Sequence, residues 1–101
     1  MILVTIRMKV LSEKRLELSQ TIALLVTSIR MEKGCQRVDF FQSVDDENRL
    51  FLLEEWNTQE NLTAHLKSEQ FKILRGAMNL LIEPCEKTFH NVFHPVGMDE
   101  V

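Results

Sequence analysis

The side chains best suited to chemistry in this sequence are a carboxylate, an indole and an imidazole that lie close together. Glu54 and Trp56 end the apolar run LFLLEEW, and His65 follows nine positions after the tryptophan. An imidazole, with an unperturbed pKa of about 6.5, takes up or releases a proton near neutral pH. A carboxylate beside it can orient the ring or accept the proton itself. We therefore take His65 and Glu54 as candidate catalytic residues and Trp56 as a candidate substrate-binding wall.

Each of these three residues also has a structural explanation. Trp56 can be a core side chain at the end of a strand, because large aromatic residues are mostly buried. His65 can tie a short helix to the sheet through a hydrogen bond, since buried polar groups are normally paired. Glu54 can be the partner of His65 or of Arg7, or a solvated carboxylate. The sequence leaves both explanations open.

Two further candidates lie in an apolar stripe near the end of the chain. Phe71 and Met78 stand with Leu74 and Leu81 at helical spacing. Such a stripe is typical of a helix that faces a core. Phe71 and Met78 could also line a pocket beside Trp56, so we take them as candidate substrate-binding residues.

Six elements must position these side chains, as judged from hydrophobic periodicity. Alternating apolar residues predict strands, and stripes at three- and four-residue spacing predict helices. The second helical element is expected to break at Lys67-Ser68. The predicted ranges are a strand at 2–10, a helix from 13 to about 33, a hairpin of strands at 35–44 and 49–56, helices at 58–66 and from 69 to about 82, and a strand at 86–94.

The helix ends are predicted from short polar residues and glycine. Ser12, Ser68 and either Asn57 or Thr58 are expected N-caps. Asn57 also has the spacing of a capping box. Gly34 is expected to end the first helix, because glycine readily adopts the left-handed conformation found there.

The element order β-α-β-β-α-β predicts an α+β protein with a ferredoxin-like fold, in which an antiparallel sheet carries two helices on one face. On the third strand, Leu50, Leu52, Glu54 and Trp56 point one way and Phe51, Leu53 and Glu55 the other, so both faces of the sheet carry large apolar groups. An exposed apolar sheet face usually meets a partner. We therefore expect a homodimer packed sheet to sheet, and a monomer with scattered surface apolar residues is the alternative.

Composition and charge limit the expected partners and location. The 101 residues are 45% apolar and 27% charged, which suits one domain, assigned to 1–95, followed by a flexible tail at 96–101. A net charge of -3 without a basic stripe predicts neither nucleic acid nor a membrane surface as partner. No apolar run approaches the roughly 20 residues that span a bilayer, and no signal-peptide pattern opens the chain. A cytoplasmic location is expected.

The cysteines and the later histidines do not suggest a metal site. Cys35 and Cys85 lack a CxxC spacing, and we expect free thiols. They also fall beside strands at opposite edges of the predicted sheet, too far apart for a disulfide within one subunit. The sequence leaves a link between subunits open. His90 and His94 share one face of the last predicted strand, but no third ligand is near them in sequence. No metal is predicted.

Several of these segments together resemble the antibiotic biosynthesis monooxygenase family. They are the strand LFLLEEW, His65, and the run Ser68-Glu69-Gln70-Phe71. The Gly34-Cys35 turn is also similar to the family's turn between its first helix and second strand. The resemblance covers residues 2–94 and implies a dimeric ferredoxin-like α/β barrel.

The resemblance also implies a range of chemistry. Better-known members oxidise quinols or polyketide anthrones with molecular oxygen and use no metal or flavin, so no cofactor is expected. Others degrade haem or isomerise small molecules, and many have no known activity. This chain has no Tyr, so no phenol can relay a proton. It also has Arg75 where the haem-degrading branch carries its haem-ligating histidine, so haem degradation is not expected.

Three functions fit these observations. The first is a cofactor-independent monooxygenase that oxidises a small aromatic, quinol-like compound with O2. The second is a non-catalytic dimeric module that binds a small molecule. The third is an isomerase that uses Glu54 or His65 on an enolisable substrate.

Overall fold

The computed structural model describes residues 1–93, and its elements follow the predicted order. The strands are β1 (Ile2–Lys9), β2 (Cys35–Gln42), β3 (Arg49–Trp56) and β4 (Glu86–Asn91), and the helices are α1 (Arg15–Ile29), α2 (Gln59–Leu66) and α3 (Glu69–Ala77). The strand order is β2-β3-β1-β4, and every neighbouring pair is antiparallel. The predicted ferredoxin-like α+β fold is therefore confirmed.

The core lies between the helices and one face of the sheet. Burial alternates along β1 and β3 because successive side chains of a strand point to opposite faces. The buried side of β3 carries Leu50, Leu52, Glu54 and Trp56, as the alternation predicts. This register brings a carboxylate and an indole into the core beside aliphatic side chains.

The predicted N-cap at Ser68 is confirmed, and of the two alternatives for α2 the cap is Thr58, not Asn57. The hydroxyls of Thr58 and Ser68 accept the backbone N–H of the residue three positions on, at 3.1 and 3.2 Å. The prediction for Ser12 is wrong. Ser12 begins a short 3-10 turn, and α1 starts only at Arg15, without a side-chain cap.

The first helix also ends earlier than predicted, at Ile29 rather than near Lys33. The backbone N–H of Glu32 bonds to the carbonyl of Ile29, three residues back, so the chain tightens into a turn. Gly34 has the expected left-handed conformation, with φ +83°. It closes this turn instead of the helix itself.

The third helix ends at Ala77 rather than near Ile82. A 3-10 turn, Met78–Leu80, follows it, and Leu81 then forms an isolated bridge to the chain just after β1. The N–H of Ile82 donates to the carbonyl of Lys9 at 2.8 Å. The backbone groups of this segment are therefore satisfied by the end of β1 instead of by further helix.

The outer strands are shorter than predicted. β2 ends at Gln42 and β4 at Asn91, rather than at 44 and 94. His94, the predicted tail at 96–101 and the predicted domain boundary at 95 lie outside the described residues. Cys35 and Cys85, at the start of β2 and just before β4, are both free.

The sheet face turned away from the helices, called the outer face below, mixes apolar and charged groups. Leu3, Phe51 and Leu53 are partly buried there, and Phe41 is more exposed. The rings of Phe41 and Phe51 lie 6.0 Å apart, and the guanidinium of Arg7 lies 5.5 Å from the Phe51 ring centre. Arg7 therefore faces away from Glu54, and the suggestion that these two residues pair is wrong.

Candidate active site

Glu54 is a carboxylate buried in the helix-facing side of the sheet, with 1% of its surface exposed. Its neighbours on the adjacent strands are Val38 and Val4. A charged group in such surroundings is costly unless it is paired and hydrogen-bonded. The buried register of β3 is therefore stable only if other side chains hydrogen-bond to this carboxylate and compensate its charge.

Trp56 supplies the first partner. Its Nε1–H donates to Glu54 Oε1 at 2.9 Å. The two residues lie two positions apart on one strand, so their side chains leave the same face of the sheet side by side. The indole is completely buried, and this bond satisfies its single N–H donor.

Helix α2 brings His65 over the indole. Thr58 caps this helix, and Leu62 and His65 are its buried residues, one turn apart on the sheet-facing side. The imidazole stacks on Trp56 with 4.4 Å between ring centres and 25° between planes. Phe71 meets the imidazole in an edge contact at 5.5 Å. The ring of His65 is therefore enclosed, with 1% of the residue exposed.

Glu32 completes the cluster and was not identified from the sequence. His65 Nδ1 lies 3.0 and 3.1 Å from the two carboxylate oxygens of Glu32. Glu32 stands 33 residues before His65, in the turn after α1, so no local spacing indicates the contact. The only available signal was Gly34, which marked a turn at this place.

Gly34 allows this turn to pass close to α2. A Cβ at this position would lie 2.4 Å from the side chains of Asn57 and Asn61. The carbonyl of Gly34 also accepts the backbone N–H of Asn57 at 2.9 Å. The turn that carries Glu32 is thus fixed against the start of α2, and His65 leaves the same helix one turn beyond Asn61.

Both ring nitrogens of His65 face carboxylates. Nε2 lies 3.2 Å from Glu54 Oε1, an ion-pair distance without the alignment of a directed hydrogen bond. A neutral ring would turn a lone pair toward one of the carboxylates, so the geometry favours the imidazolium. Burial lowers the pKa of His65, but hydrogen bonding and charge from Glu54, and then from Glu32, outweigh burial and raise this pKa above its usual value.

We expect stability to fall as the pH rises through the folded-state pKa of His65. In the unfolded chain the imidazole has its ordinary pKa of about 6.5, whereas in the folded protein this pKa is raised. The contribution of the cluster is therefore complete below the unfolded pKa and is lost above the folded one. Urea midpoints measured from about pH 6 to about pH 8 test this, and a constant or rising midpoint would contradict it.

Cys35 provides the control for that experiment. Burial, and then the charge of Glu54, raise the pKa of the Cys35 thiol to about 11. In the unfolded chain the thiol has a pKa of about 8.5. Ionisation of Cys35 therefore also favours unfolding as the pH rises. The variant Cys35→Ala should lose the pH dependence of stability that comes from the thiol and keep the one that comes from His65. The raised pKa also means that Cys35 is not an activated nucleophile.

One oxygen of the cluster has no hydrogen-bond partner in the described part of the chain. Glu54 Oε2 is buried and has no hydrogen bond within residues 1–93. Buried carboxylate oxygens are normally satisfied, so an exception calls for a specific reason. Oε2 is the atom of the site that is free to accept a proton or a hydroxyl donor.

The predicted substrate contacts Phe71 and Met78 line one narrow crevice beside this cluster. Its volume is about 10 Å³, whereas ligand pockets usually measure about 300–1,000 Å³. The structure brings Phe71 into direct contact with His65, but Met78 joins the group only through this crevice. Glu54, Trp56 and His65 are not among the residues that line this crevice.

Two cations stand at the same crevice. The guanidinium of Arg75 and the ammonium of Lys87 lie 5.3 and 5.4 Å from the ring centre of Phe71. A cation over an aromatic face is attracted by the ring. The crevice therefore combines an apolar wall with positive charge, a surface that suits an aromatic compound carrying or developing negative charge.

Larger clefts lie elsewhere on the described surface. One of about 450 Å³ at the edge strand β2 is lined by Arg30, Arg37 and Asp39, among others. Another of about 280 Å³ lies on the outer face, beside Arg7 and Phe51. Neither is lined by the buried carboxylate, indole or imidazole described above.

Within residues 1–93, no three His, Cys, Asp or Glu side chains are arranged to hold a metal ion. His90 is exposed on β4, paired with Leu3 of β1. In the same part of the chain, no helix is both long and apolar enough to cross a membrane.

The fold has many solved counterparts. A Nitrosomonas europaea protein described with the antibiotic biosynthesis monooxygenases is 21% identical, with a TM-score of 0.87 over 93% of this chain and 100% of that one. A Mycobacterium tuberculosis protein is 24% identical, with a TM-score of 0.86 over 95% and 98%. A conserved Methanosarcina mazei protein is 26% identical, with a TM-score of 0.83 over 88% and 89%. These similarities show that the chain shares its ferredoxin-like fold with these proteins.

The family model for antibiotic biosynthesis monooxygenase matches residues 1–75. This match spans well over half of the chain, and the chain belongs to that family. It includes the whole cluster of Glu32, Glu54, Trp56 and His65 and ends before Met78. No curated protein matches the chain.

Proposed function

We propose that this protein is a cofactor-independent monooxygenase that oxidises a small aromatic, quinol-like compound with O2. The observation that carries the proposal is the buried Oε2 of Glu54, which has no hydrogen bond within residues 1–93, beside the ring of His65. Family membership adds the expectation of oxygen chemistry. The cations at the Phe71 crevice add a preference for substrates that become anionic.

In this proposal Glu54 is the first proton acceptor. A substrate hydroxyl donates its proton to Oε2, and the electron pair of the broken O–H bond stays on the substrate as an electron-rich anion. His65 Nε2 lies 3.2 Å from the other oxygen of the same carboxylate. Because the imidazolium has no free lone pair, this geometry favours Glu54 over His65 as the base.

The anion then reduces O2 directly. Electrons pass from the substrate to O2, and one oxygen atom becomes bonded to a substrate carbon. The other oxygen leaves as water with the two hydrogens that the substrate loses. The protein contributes a site without bulk water, a fixed orientation and the proton acceptor. Trp56 and Phe71 provide the aromatic walls.

Substrate access requires the narrow crevice to widen. Met78 is the first residue of the 3-10 turn after α3. Its unbranched side chain can change rotamer to fit a new neighbour. Movement of this turn would widen the crevice beside Phe71. The proposed substrate is therefore small and flat.

Oxygen uptake over a panel of hydroquinones and anthrones tests the proposal. We expect wild-type protein to consume O2 with at least one of them, and Trp56→Phe, which removes the indole N–H, to be slower. If no compound stimulates uptake above a heat-denatured control, the protein is not this kind of oxygenase.

The tight packing around the cluster favours a second candidate, a non-catalytic small-molecule-binding module. A crevice of about 10 Å³ admits no aromatic ring without rearrangement. Compounds that raise the melting temperature but are never turned over would support the module. Exchange of solvent deuterium into a bound ligand without O2 uptake would instead indicate the isomerase alternative.

We also propose a homodimer that packs its outer faces together. Leu3, Phe51 and Leu53 supply the apolar centre of that face. Leu53→Lys should place a charge in the interface, so the wild type should sediment at twice 11.8 kDa and the variant at 11.8 kDa. Leu24→Lys, at a position on α1 that is 76% exposed, is the matched control. Wild-type sedimentation as a single 11.8 kDa species would refute the dimer.

A further inference from the structure

We propose that Glu32 keeps His65 charged while Glu54 changes its charge, and that Glu32 is therefore a positioning residue for proton transfer at Glu54. This inference rests on the proposed function, because it assigns the condition under which Glu54 can act as a base. Glu32 touches neither Glu54 nor the free Oε2 in the contacts described above, and it acts through the imidazole.

The three side chains form a line with His65 at its centre. Glu54 Oε1 lies 3.2 Å from Nε2, and the oxygens of Glu32 lie 3.0 and 3.1 Å from Nδ1. The side chains of Glu54 and His65 are essentially inaccessible, whereas 18% of the Glu32 side chain is exposed. Glu32 is thus the member of the line that remains in contact with solvent.

The charges explain why the third member matters. If Glu54 and His65 were alone, a proton arriving on Glu54 would leave a buried imidazolium without a counter-charge, which is strongly unfavourable. His65 would then lose its own proton. With Glu32 present, the imidazolium keeps a partner after Glu54 is neutralised. Glu54 can therefore take up and return a proton while the rest of the cluster stays as it is.

Other charged groups approach the cluster less closely. From the α1 and β2 side, the Cys35 thiol is influenced by both carboxylates and by Arg30. The Arg30 side chain donates to the carbonyl of Val38 at 3.0 and 2.8 Å. On the α3 and β4 side, Arg75 and Lys87 lie 5.3 and 5.4 Å from the ring centre of Phe71, and it is Phe71 that contacts the imidazole.

The turn itself is built to hold Glu32 in place. Gly34 lies so close to the side chains of Asn57 and Asn61 that a Cβ at this position would clash with them. Its carbonyl accepts the backbone N–H of Asn57. The carbonyl of Glu32 also accepts the N–H of Cys35 at 3.2 Å. The carboxylate is therefore presented to His65 by a fixed backbone instead of by a mobile surface chain.

NMR titration of the His65 ring tests the inference without any substrate. Glu54→Gln imitates the protonated carboxyl, so in this variant the inference predicts that Glu32 alone holds the imidazolium. Adding Glu32→Gln to Glu54→Gln should lower the proton affinity of His65 at least about tenfold, one pKa unit. The control is Glu55→Gln in the same background, since Glu55 points to the outer face and pairs with Arg37.

A shift of the His65 midpoint no larger than that of the control would overturn the inference. With a compound that the wild-type protein oxidises, kcat is measured against pH. Glu32→Gln alone should move the alkaline limb of this pH profile to lower pH, and an unmoved limb would also overturn the inference. If wild-type protein oxidises no compound, the proposed function fails, and the NMR titration still decides whether Glu32 holds the charge on His65.

Discussion

Replacement of His65 by alanine is expected to lower the free energy of unfolding by about 3–5 kcal/mol. The substitution removes the cation that Glu54 and Glu32 share, and it leaves the Glu54 carboxylate buried with the indole N–H of Trp56 as its remaining donor. Breaking a buried pair is costly because the other charge loses its compensation. The stacking contact on Trp56 is lost as well.

Urea unfolding followed by circular dichroism measures this effect. His90→Ala, at an exposed site on β4, is the matched control and should change stability by no more than about 0.5 kcal/mol. His65→Phe keeps a ring against Trp56 and isolates the electrostatic part. A loss below about 1 kcal/mol in His65→Ala would mean that water already compensates Glu54, contrary to its burial.

Replacement of Glu54 by glutamine is expected to lower the rate of oxygen consumption by about 100-fold or more, the usual contribution of a positioned base. The amide keeps the shape of the carboxyl, and its oxygen can still accept the N–H of Trp56. It cannot accept a substrate proton at neutral pH. The fold should therefore survive while proton abstraction fails.

The measurement is kcat in an oxygen electrode, with whichever panel compound the wild type oxidises. Glu55→Gln is the adjacent control, because this carboxylate points to the opposite face of the same strand. Equal activity of Glu54→Gln and wild type would remove Glu54 as the base. A loss in His65→Asn alone would then assign that role to the imidazole.

Most of the fold was predictable because the strands alternate cleanly. The range of β3 was predicted residue for residue, since one buried face at period two leaves no other register. That register also placed Glu54 and Trp56 on the same buried face. The cap at Ser68 was predictable from one short polar residue before its helix, whereas the sequence did not decide between Asn57 and Thr58 for α2.

The rest depended on contacts between distant parts of the chain. α3 stops early because Ile82 bonds to Lys9, which no helical pattern reports. Glu32 reaches His65 across 33 residues through a turn whose path is set by packing against α2. From the sequence alone His65 resembled a base with an ordinary pKa, whereas the contacts with Glu54 and Glu32 raise this pKa.

The stacking of Trp56 on His65 has a spectroscopic consequence. The chain contains a single tryptophan, so its emission comes from this site alone. A protonated imidazole in contact with an excited indole accepts an electron from it and quenches the light, and the neutral ring does so much less. Because of the 4.4 Å stack, the intensity of tryptophan fluorescence should report on His65. We expect this intensity to rise when His65 loses its proton or moves away from the indole.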